Sequence, residues 1–461
     1  MGVGVSGWRL ARAVSVAGQL GVVSGVGLDT LLARRLQLGD AGGHIRRALG
    51  HFPFPDAVRR ILDRYFVAGG LGPGQRFRPA AAPSLRPSLA STQLAVAANF
   101  VEVTLAKEGH DGLIGVNYLE KLQMSNAAAL YGAMLAGVDF VLMGAGVPAQ
   151  IPALLDSLAD GRPGALPVDV KGGGRSPAAV GVDPAAALGD TRRLPRPEFL
   201  AVVSSHVLAA FLARDPRTRP DGFVVEGPQA GGHNAPPRGP LRLDPEGQPV
   251  YGPRDVVDLE EMAALGLPFW LAGGRASPSS LSEALACGAS GIQVGSIFAL
   301  CEESDLDRSH KRAIVDLWRE GTLRVRSDAA ASPTGYPFQL AELPGTTAED
   351  DVFAKRKRVC DVGYLRVPFV GDGGKVGYRC PAEPVEHYLR KGGRSGDTVG
   401  RRCLCNGLIA AIGLGQRRPG GTAEPAVVTI GQELTFLDHV APAALDYTAG
   451  DAVGYLLGVN G

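Results

Sequence analysis

The chain has 461 residues, 45% of them apolar and 20% charged, with 64 glycines. Glycine at about twice its usual ~7% share, without a Gly-X-Y period, excludes collagen, and the apolar content excludes disorder. The 47 basic and 46 acidic residues leave a net charge of +1, which excludes whole-chain attraction to nucleic acid or an anionic membrane.

At this length one α/β barrel of ~250 residues plus an appendage is accommodated. The uncharged runs Ala13–Leu28 and Leu122–Val138 are broken by Gln, Ser, Asn and Gly. Neither reaches the ~20 mostly apolar residues that a spanning helix needs. Arg9 and Arg12 precede the first run, but its Gly-Gln-Leu-Gly interruption and the lack of an Ala-x-Ala site speak against a signal peptide. A cytoplasmic chain is expected, in which six cysteines are thiols or metal ligands before they are disulfides.

From the amino terminus onward one unit repeats: a short apolar run, then glycine or a small polar residue, then a helix-like stretch. The runs are Leu20–Gly25, Gly112–Tyr118, Asp139–Gly146, Phe199–Ser205, Gly222–Pro228, Pro268–Gly274 and Gly291–Phe298. Such near-continuous apolar strands suit a parallel sheet covered on both faces. Helical segments such as His206–Arg214 and Leu281–Cys287 lie between them, so βαβ crossovers and a TIM-type (β/α)8 barrel are predicted. Seven strands is one short, and the first is the missing one, because Met1–Ser6 looks like the loop that would follow it.

Two insertions interrupt the alternation. Residues 50–101 are rich in Pro and Arg, and residues 167–197 could fold as a lid hairpin over the barrel mouth. The alternation stops at about residue 322. Residues 323–461 are predicted to form an α-rich region packed on the barrel, with a helix near Cys405–Leu414.

The active site of such a barrel forms at the carboxyl ends of its strands. Gly273-Gly274 and Gly295-Ser296 follow the last two strands, where backbone N–H groups are suited to hold a phosphate. Ordinary strand-to-helix turns are the plain alternative for either alone. Gly231-Gly232-His233 follows the Gly222–Pro228 run and places an imidazole at the mouth, where its ordinary pKa near 6.5 suits proton transfer. Asn117 offers both donor and acceptor to a planar heterocycle, or simply caps the next helix.

Taken in order, Met1–Ser6, Gly115-Val-Asn117, Glu226-Gly through Ala230-Gly-Gly-His233, Ala272-Gly-Gly274 and Gln293-Val-Gly-Ser296 resemble the nitronate monooxygenase (2-nitropropane dioxygenase) family. Its relatives include flavin-dependent enoyl reductases, and the tail looks like that of the trans-acting reductase branch. The resemblance covers roughly residues 1–300 and implies an FMN-binding TIM barrel. It implies that Gly273, Gly274, Gly295 and Ser296 hold the FMN phosphate. Asn117, Gly231 and Gly232 would contact the flavin or its ribityl chain, and Met1, Gly2 and Val3 would underlie the ring. His233 matches the base that removes the proton beside a nitro group.

Two departures stand out: the family often has glycine two residues after the histidine, where this chain reads Asn234-Ala235-Pro236, and the first strand is absent. The implied activity is oxidation of a nitronate or similar acidic carbon with dioxygen. The alternative is NAD(P)H-dependent reduction of carrier-bound enoyl thioesters, with an acyl carrier protein as partner. No nucleic acid or membrane partner is expected.

Cys287 and Cys301 flank the last strand and read as core residues. Cys360, Cys380, Cys403 and Cys405 lie close in sequence, and four thiolates suit Zn²⁺ or an iron–sulfur cluster. Free thiols in a packed appendage are the alternative. Lys355–Arg358 follows Glu349-Asp-Asp351 and reads as a solvated mixed-charge loop.

Overall fold

Seven short strands pair in parallel in one curled sheet: β1 (Gly21–Ser24), β2 (Ile114–Leu119), β3 (Phe140–Gly144), β6 (Glu198–Val203), β7 (Gly222–Glu226), β8 (Phe269–Ala272) and β9 (Gly291–Gln293). They follow one another in chain order across the sheet. The computed structural model describes residues 2–174, 178–418 and 422–459.

Both faces of this sheet are buried, which explains the continuous apolar runs. Val141, Met143, Phe199, Ala201, Phe223 and Phe269 face the surrounding helices in the main core. Leu142, Leu200, Val224 and Ala272 form a separate inner cluster, packed with Phe140 and Trp270. This is the layered filling of a TIM-type barrel. As the sequence predicts, seven strands are present. β1 and β9 are the terminal strands and no described strand joins them. Residues 2–6 run past the end of β1 instead, with Ser24 N–H donating to Ser6 O at 2.8 Å.

The crossover from β1 to β2 includes a helix, Pro55–Tyr65, and ends in the 19-residue helix Leu89–Lys107. Val101 is therefore the middle of a core helix and not the edge of an insertion. Leu89–Lys107 is long and apolar enough to cross a membrane, but most of it is buried inside the fold. Its apolar character serves packing against the helix Gln123–Leu135.

The second insertion does fold as a hairpin, β4 (Gly164–Val168) with β5 (Ala178–Val182). It packs on the helices Gln123–Leu135 and Ile151–Ala159 in the outer layer, and none of its described residues lines the main cavity. Its alternating buried residues Leu166, Val168, Val180 and Val182 need an apolar surface, which those helices offer and an open mouth does not. Arg175 lies outside the described residues.

The region after residue 322 combines two antiparallel hairpins with helices. The hairpins are β10 (Val325–Asp328) with β11 (Phe338–Ala341), and β12 (Val367–Val370) with β13 (Val376–Arg379). The helices include Leu404–Ala410 and Ala449–Leu456. Phe338, Leu340, Leu404, Ile409 and Val427 belong to the same core as the barrel strands.

Candidate active site

A cavity of about 680 Å³ opens at the carboxyl ends of the strands, a size typical of a site that encloses a cofactor or drug-sized ligand. Val3, Asn117, Glu226, Gly231, Gly232, His233 and Gln293 all line it. The structure thus gathers Val3, Asn117, Gly231, Gly232 and His233, five of the eleven catalytic and cofactor-binding residues singled out from sequence, around one space. Gly2 lies alongside, its carbonyl accepting from Ser24 Oγ at 2.9 Å, and Met1 lies outside the described residues.

The Gly-Gly-His turn is fixed by chain distant in sequence. Gly232 takes a φ of +90°, a conformation open to glycine. Its N–H donates to Thr429 Oγ1 at 2.8 Å, and its carbonyl accepts from Gln339 N–H at 2.8 Å. Asn234 N–H donates to Pro337 O at 3.0 Å. His233 therefore enters the cavity from a turn zipped onto the start of β11. Its ring packs edge-on against Phe338, centroids 4.9 Å apart, and its Nε2 meets Ser332 Oγ at 2.7 Å. Ser332 is fully buried and also meets Thr334 Oγ1 at 2.7 Å.

Burial lowers His233 to a pKa of about 3, so the imidazole is neutral near pH 7, and the same burial weakens it as a proton acceptor. With Nε2 held by Ser332, Nδ1 has no protein partner among the described residues and is the nitrogen open to a substrate. Burial works oppositely on Glu226, at the end of β7, raising it to about 7.

Three polar side chains in the lining, Asn117, Glu226 and Gln293, have no side-chain hydrogen bond among the described residues. The Asn234 amide donates to Ala230 O at 2.9 Å, while its buried Oδ1 is unpartnered. Buried polar groups are ordinarily satisfied; Asn234 Oδ1 is such a group, Asn117, Glu226 and Gln293 are half-buried, and a polar heterocycle in this cavity would satisfy the Asn234 oxygen. The residues present therefore fit a flavin. Asn234 puts a side-chain amide into this wall.

β8 and β9 are neighbours with Ala272 opposite Gln293, so Gly273-Gly274 and Gly295-Ser296 leave adjacent strand ends. Gly273 and Gly274 both have positive φ, +88° and +65°. A Cβ on Gly273 would lie 3.0 Å from the Gly227 carbonyl oxygen, whereas one on Gly295 would meet nothing within 4 Å. The two turns do not line the large cavity themselves; Gln293 does. Ser296 Oγ accepts from Gly431 N–H at 2.9 Å, which leaves its own proton free to donate.

Several lining residues carried no sequence signal. Tyr336, Phe338, Tyr364, Leu365, Leu404 and Leu408 come from the region after 322 and close one wall. Tyr364 is anchored by its hydroxyl donating to Asp29. Ser332 and Thr429 support the histidine turn from outside the lining. None sits in a motif, because each acts by meeting a barrel residue more than 90 positions away.

Three readings of the remaining residues need correction. Cys287 is exposed, because it caps the outer end of the helix Pro278–Ala286, while Cys301 is fully buried. Arg356 is not in a solvated loop; its guanidinium is buried against Glu424. Among the described residues no group of three or more His, Cys, Asp or Glu side chains is placed to hold a metal ion, which speaks against both zinc and an iron–sulfur cluster at Cys360, Cys380, Cys403 and Cys405.

Residues 200–329 match the family model described as nitronate monooxygenase. Over 96 residues the chain is 34% identical to a probable nitronate monooxygenase of Bacillus subtilis, covering 21% of this chain and 26% of that protein. Over 130 residues it is 32% identical to a nitronate monooxygenase of Pseudomonas aeruginosa, covering 27% and 35%. The chain thus spans about a quarter to a third of the length of the curated relatives it matches. FabK from Thermotoga maritima superposes with a TM-score of 0.47 at 15% identity, over 99% of this chain and 89% of that one. The segment that matches the nitronate monooxygenase family model holds β7, the histidine turn and both glycine turns.

Proposed function

We propose that the chain is an FMN-dependent oxidoreductase that oxidises a nitronate, or a comparably acidic carbon compound, with dioxygen. The observation that carries this reading is a neutral imidazole, His233, presented to a cavity whose wall holds the buried, unpartnered amide oxygen of Asn234. FMN when bound supplies the electron acceptor and the reaction with dioxygen.

The chain's own residues do the rest. Gly273, Gly274, Gly295 and Ser296 would hold the phosphate, through backbone N–H groups and the Ser296 hydroxyl. Asn117, Gly231 and Gly232 would contact the heterocycle or its ribityl chain, with Val3 against the ring. His233 takes a carbon-bound proton on Nδ1 and shares the resulting charge with Ser332. Phe338, packed on the ring, excludes water from one side of the imidazole, and exclusion strengthens each remaining polar contact.

The test is anaerobic. Purified protein is expected to be yellow and to release FMN on denaturation, and an alkyl nitronate is expected to bleach it. Bleaching by NADPH and not by the nitronate would replace this reading with an enoyl reductase acting on carrier-bound thioesters. His233→Ala is expected to slow turnover of a neutral nitroalkane by about 10²–10⁴-fold, the usual worth of a positioned base. Unchanged turnover would remove His233 from the chemistry.

A further inference from the structure

The hydroxyl that meets the His233 ring is itself met by a second hydroxyl. Ser332 Oγ lies 2.7 Å from His233 Nε2 and 2.7 Å from Thr334 Oγ1. It also accepts from Thr334 N–H at 3.2 Å, and Thr334 Oγ1 accepts from Tyr336 N–H at 3.3 Å. Ser332 is fully buried and Thr334 is half-buried. Thr334 does not line the main cavity, whereas His233 and Tyr336 do.

The turn that carries both hydroxyls is clamped along its length. Asp328 Oδ1 accepts from the N–H groups of Ala330 and Ala331 at 2.8 and 3.0 Å. Arg402 N–H donates to Ala331 O at 2.9 Å. The Arg401 guanidinium donates to the carbonyls of Ala330 and Ser332, and Pro333, between the two hydroxyl residues, has a fixed φ. With the heavy atoms held this way, what the turn can still choose is where each hydroxyl proton points.

Each hydroxyl has one proton to give and two lone pairs to receive, so two orders exist. If Thr334 donates to Ser332, Ser332 donates to Nε2, the neutral ring carries its proton on Nδ1, and the cavity meets an N–H. If Ser332 donates to Thr334, it accepts from Nε2–H, and Nδ1 faces the cavity with a lone pair. In this second order Ser332 Oγ uses both lone pairs, on Nε2–H and Thr334 N–H. Thr334 Oγ1 uses both as well, on the Ser332 hydroxyl and Tyr336 N–H. The hydroxyl proton left over belongs to Thr334, the half-buried member of the pair, so none is stranded on the fully buried one.

We propose that Thr334 is a positioning residue that sets the tautomer of His233: its Oγ1 takes the Ser332 proton, Ser332 accepts from Nε2–H, and Nδ1 is kept free as the base. The inference rests on the proposed role of His233. In that reaction the substrate C–H bond breaks, its electron pair stays on the substrate, and the proton forms Nδ1–H. The Nε2–H bond to Ser332 then holds the charged ring without any change of partner, and Thr334 acts only through Ser332.

The test compares the full-length wild type with Thr334→Val, which removes the acceptor, and Thr334→Ser, which restores it. Nuclear magnetic resonance of protein labelled with nitrogen-15 in histidine reads which ring nitrogen is protonated, and His233→Gln assigns the ring among the eight histidines. Wild type and Thr334→Ser are expected to carry the proton on Nε2, and Thr334→Val on Nδ1, because Ser332 then has only Nε2 to donate to. A neutral nitroalkane needs the base and its preformed nitronate does not. The ratio of their turnover rates is therefore expected to fall about 5–150-fold in Thr334→Val, the worth of a buried hydrogen bond left unmade, and to recover in Thr334→Ser. The wild-type spectrum decides the proton order even if the valine variant misfolds. Nδ1–H in the wild type, or one tautomer shared by wild type and Thr334→Val, would overturn the proposal. The expected change of tautomer in a protein that oxidises neither nitro compound would uphold the role of Thr334 and remove the proposed activity instead.

Discussion

His233 and Ser332 illustrate how little of a reactive residue is its own doing. The imidazole is neutral because protein surrounds it, and it is aimed because a buried hydroxyl 2.7 Å away holds Nε2. Ser332→Ala removes one hydrogen bond worth about 0.5–1.5 kcal/mol. It is expected to lower kcat by about 3–10-fold with KM little changed, in steady-state turnover of the nitronate or nitroalkane. A rise in KM alone would make Ser332 part of substrate binding instead. Glu226 gives a second expectation, read in stability. Its carboxyl is held up near 7 by burial, so between about pH 4.5 and 7 the unfolded chain releases a proton that the folded chain retains. Stability therefore falls as pH rises through that window and levels above it. Glu226→Gln is expected to shrink the loss of Tm between pH 5 and pH 8; an unchanged loss would mean that Glu226 is solvated. His233 and Glu226 were both legible in sequence as strand-end residues. Their shifted proton affinities were not, because burial depends on residues such as Phe338 that no local pattern ties to them.

Strands and turns tell a similar story one level up. Five of the seven sheet strands lie within a run visible as apolar sequence and the other two overrun theirs by one residue, Leu119 and Glu198, because burial on both faces leaves a strong mark. The insertions were harder. Leu89–Lys107 begins among Pro- and Arg-rich residues, so its helical character is masked at the start, and its capping Ser88, which accepts from Ser91 N–H, is one serine among several. The segment Thr429–Glu433 was invisible altogether, yet it crosses the functional end of the barrel. Thr429 holds Gly232, and Gly431 donates to Ser296. A Cβ on Gly231 would come within 2.9 Å of the Ile430 carbonyl carbon and 3.1 Å of Gly431 N. These are backbone atoms with no rotamer to escape into. Gly231→Ala is expected to displace this segment at a cost of about 1–3 kcal/mol and to lower the FMN retained through gel filtration. Full retention with an unchanged Tm would show that the segment yields without consequence.

At the scale of the whole molecule, the region after residue 322 is a structural partner of the barrel. Arg34, on the helix Leu28–Gln37, is 2% exposed and donates to the Leu414 carbonyl at 2.6 Å. Burial lowers its pKa to about 10, while Asp361 and Glu424 favour its charge. Gln416 grips Phe77 through both backbone groups, donating to the carbonyl and accepting from the N–H. These contacts link the first crossover of the barrel to the tail across more than 300 residues. Such pairing leaves no periodic trace, which is why the composition of the tail suggested an appendage and not a wall of the cavity. Arg34→Met keeps much of the side-chain volume but leaves the Leu414 carbonyl without its charged donor. An unpaired buried acceptor costs about 1–3 kcal/mol, and losing charge complementarity with Asp361 and Glu424 adds to that. Chemical denaturation is expected to show a loss of about 2–4 kcal/mol in a single transition followed alike by near-ultraviolet and far-ultraviolet circular dichroism. Two separated transitions, with the barrel signal unmoved by Arg34→Met, would mean that barrel and tail fold independently.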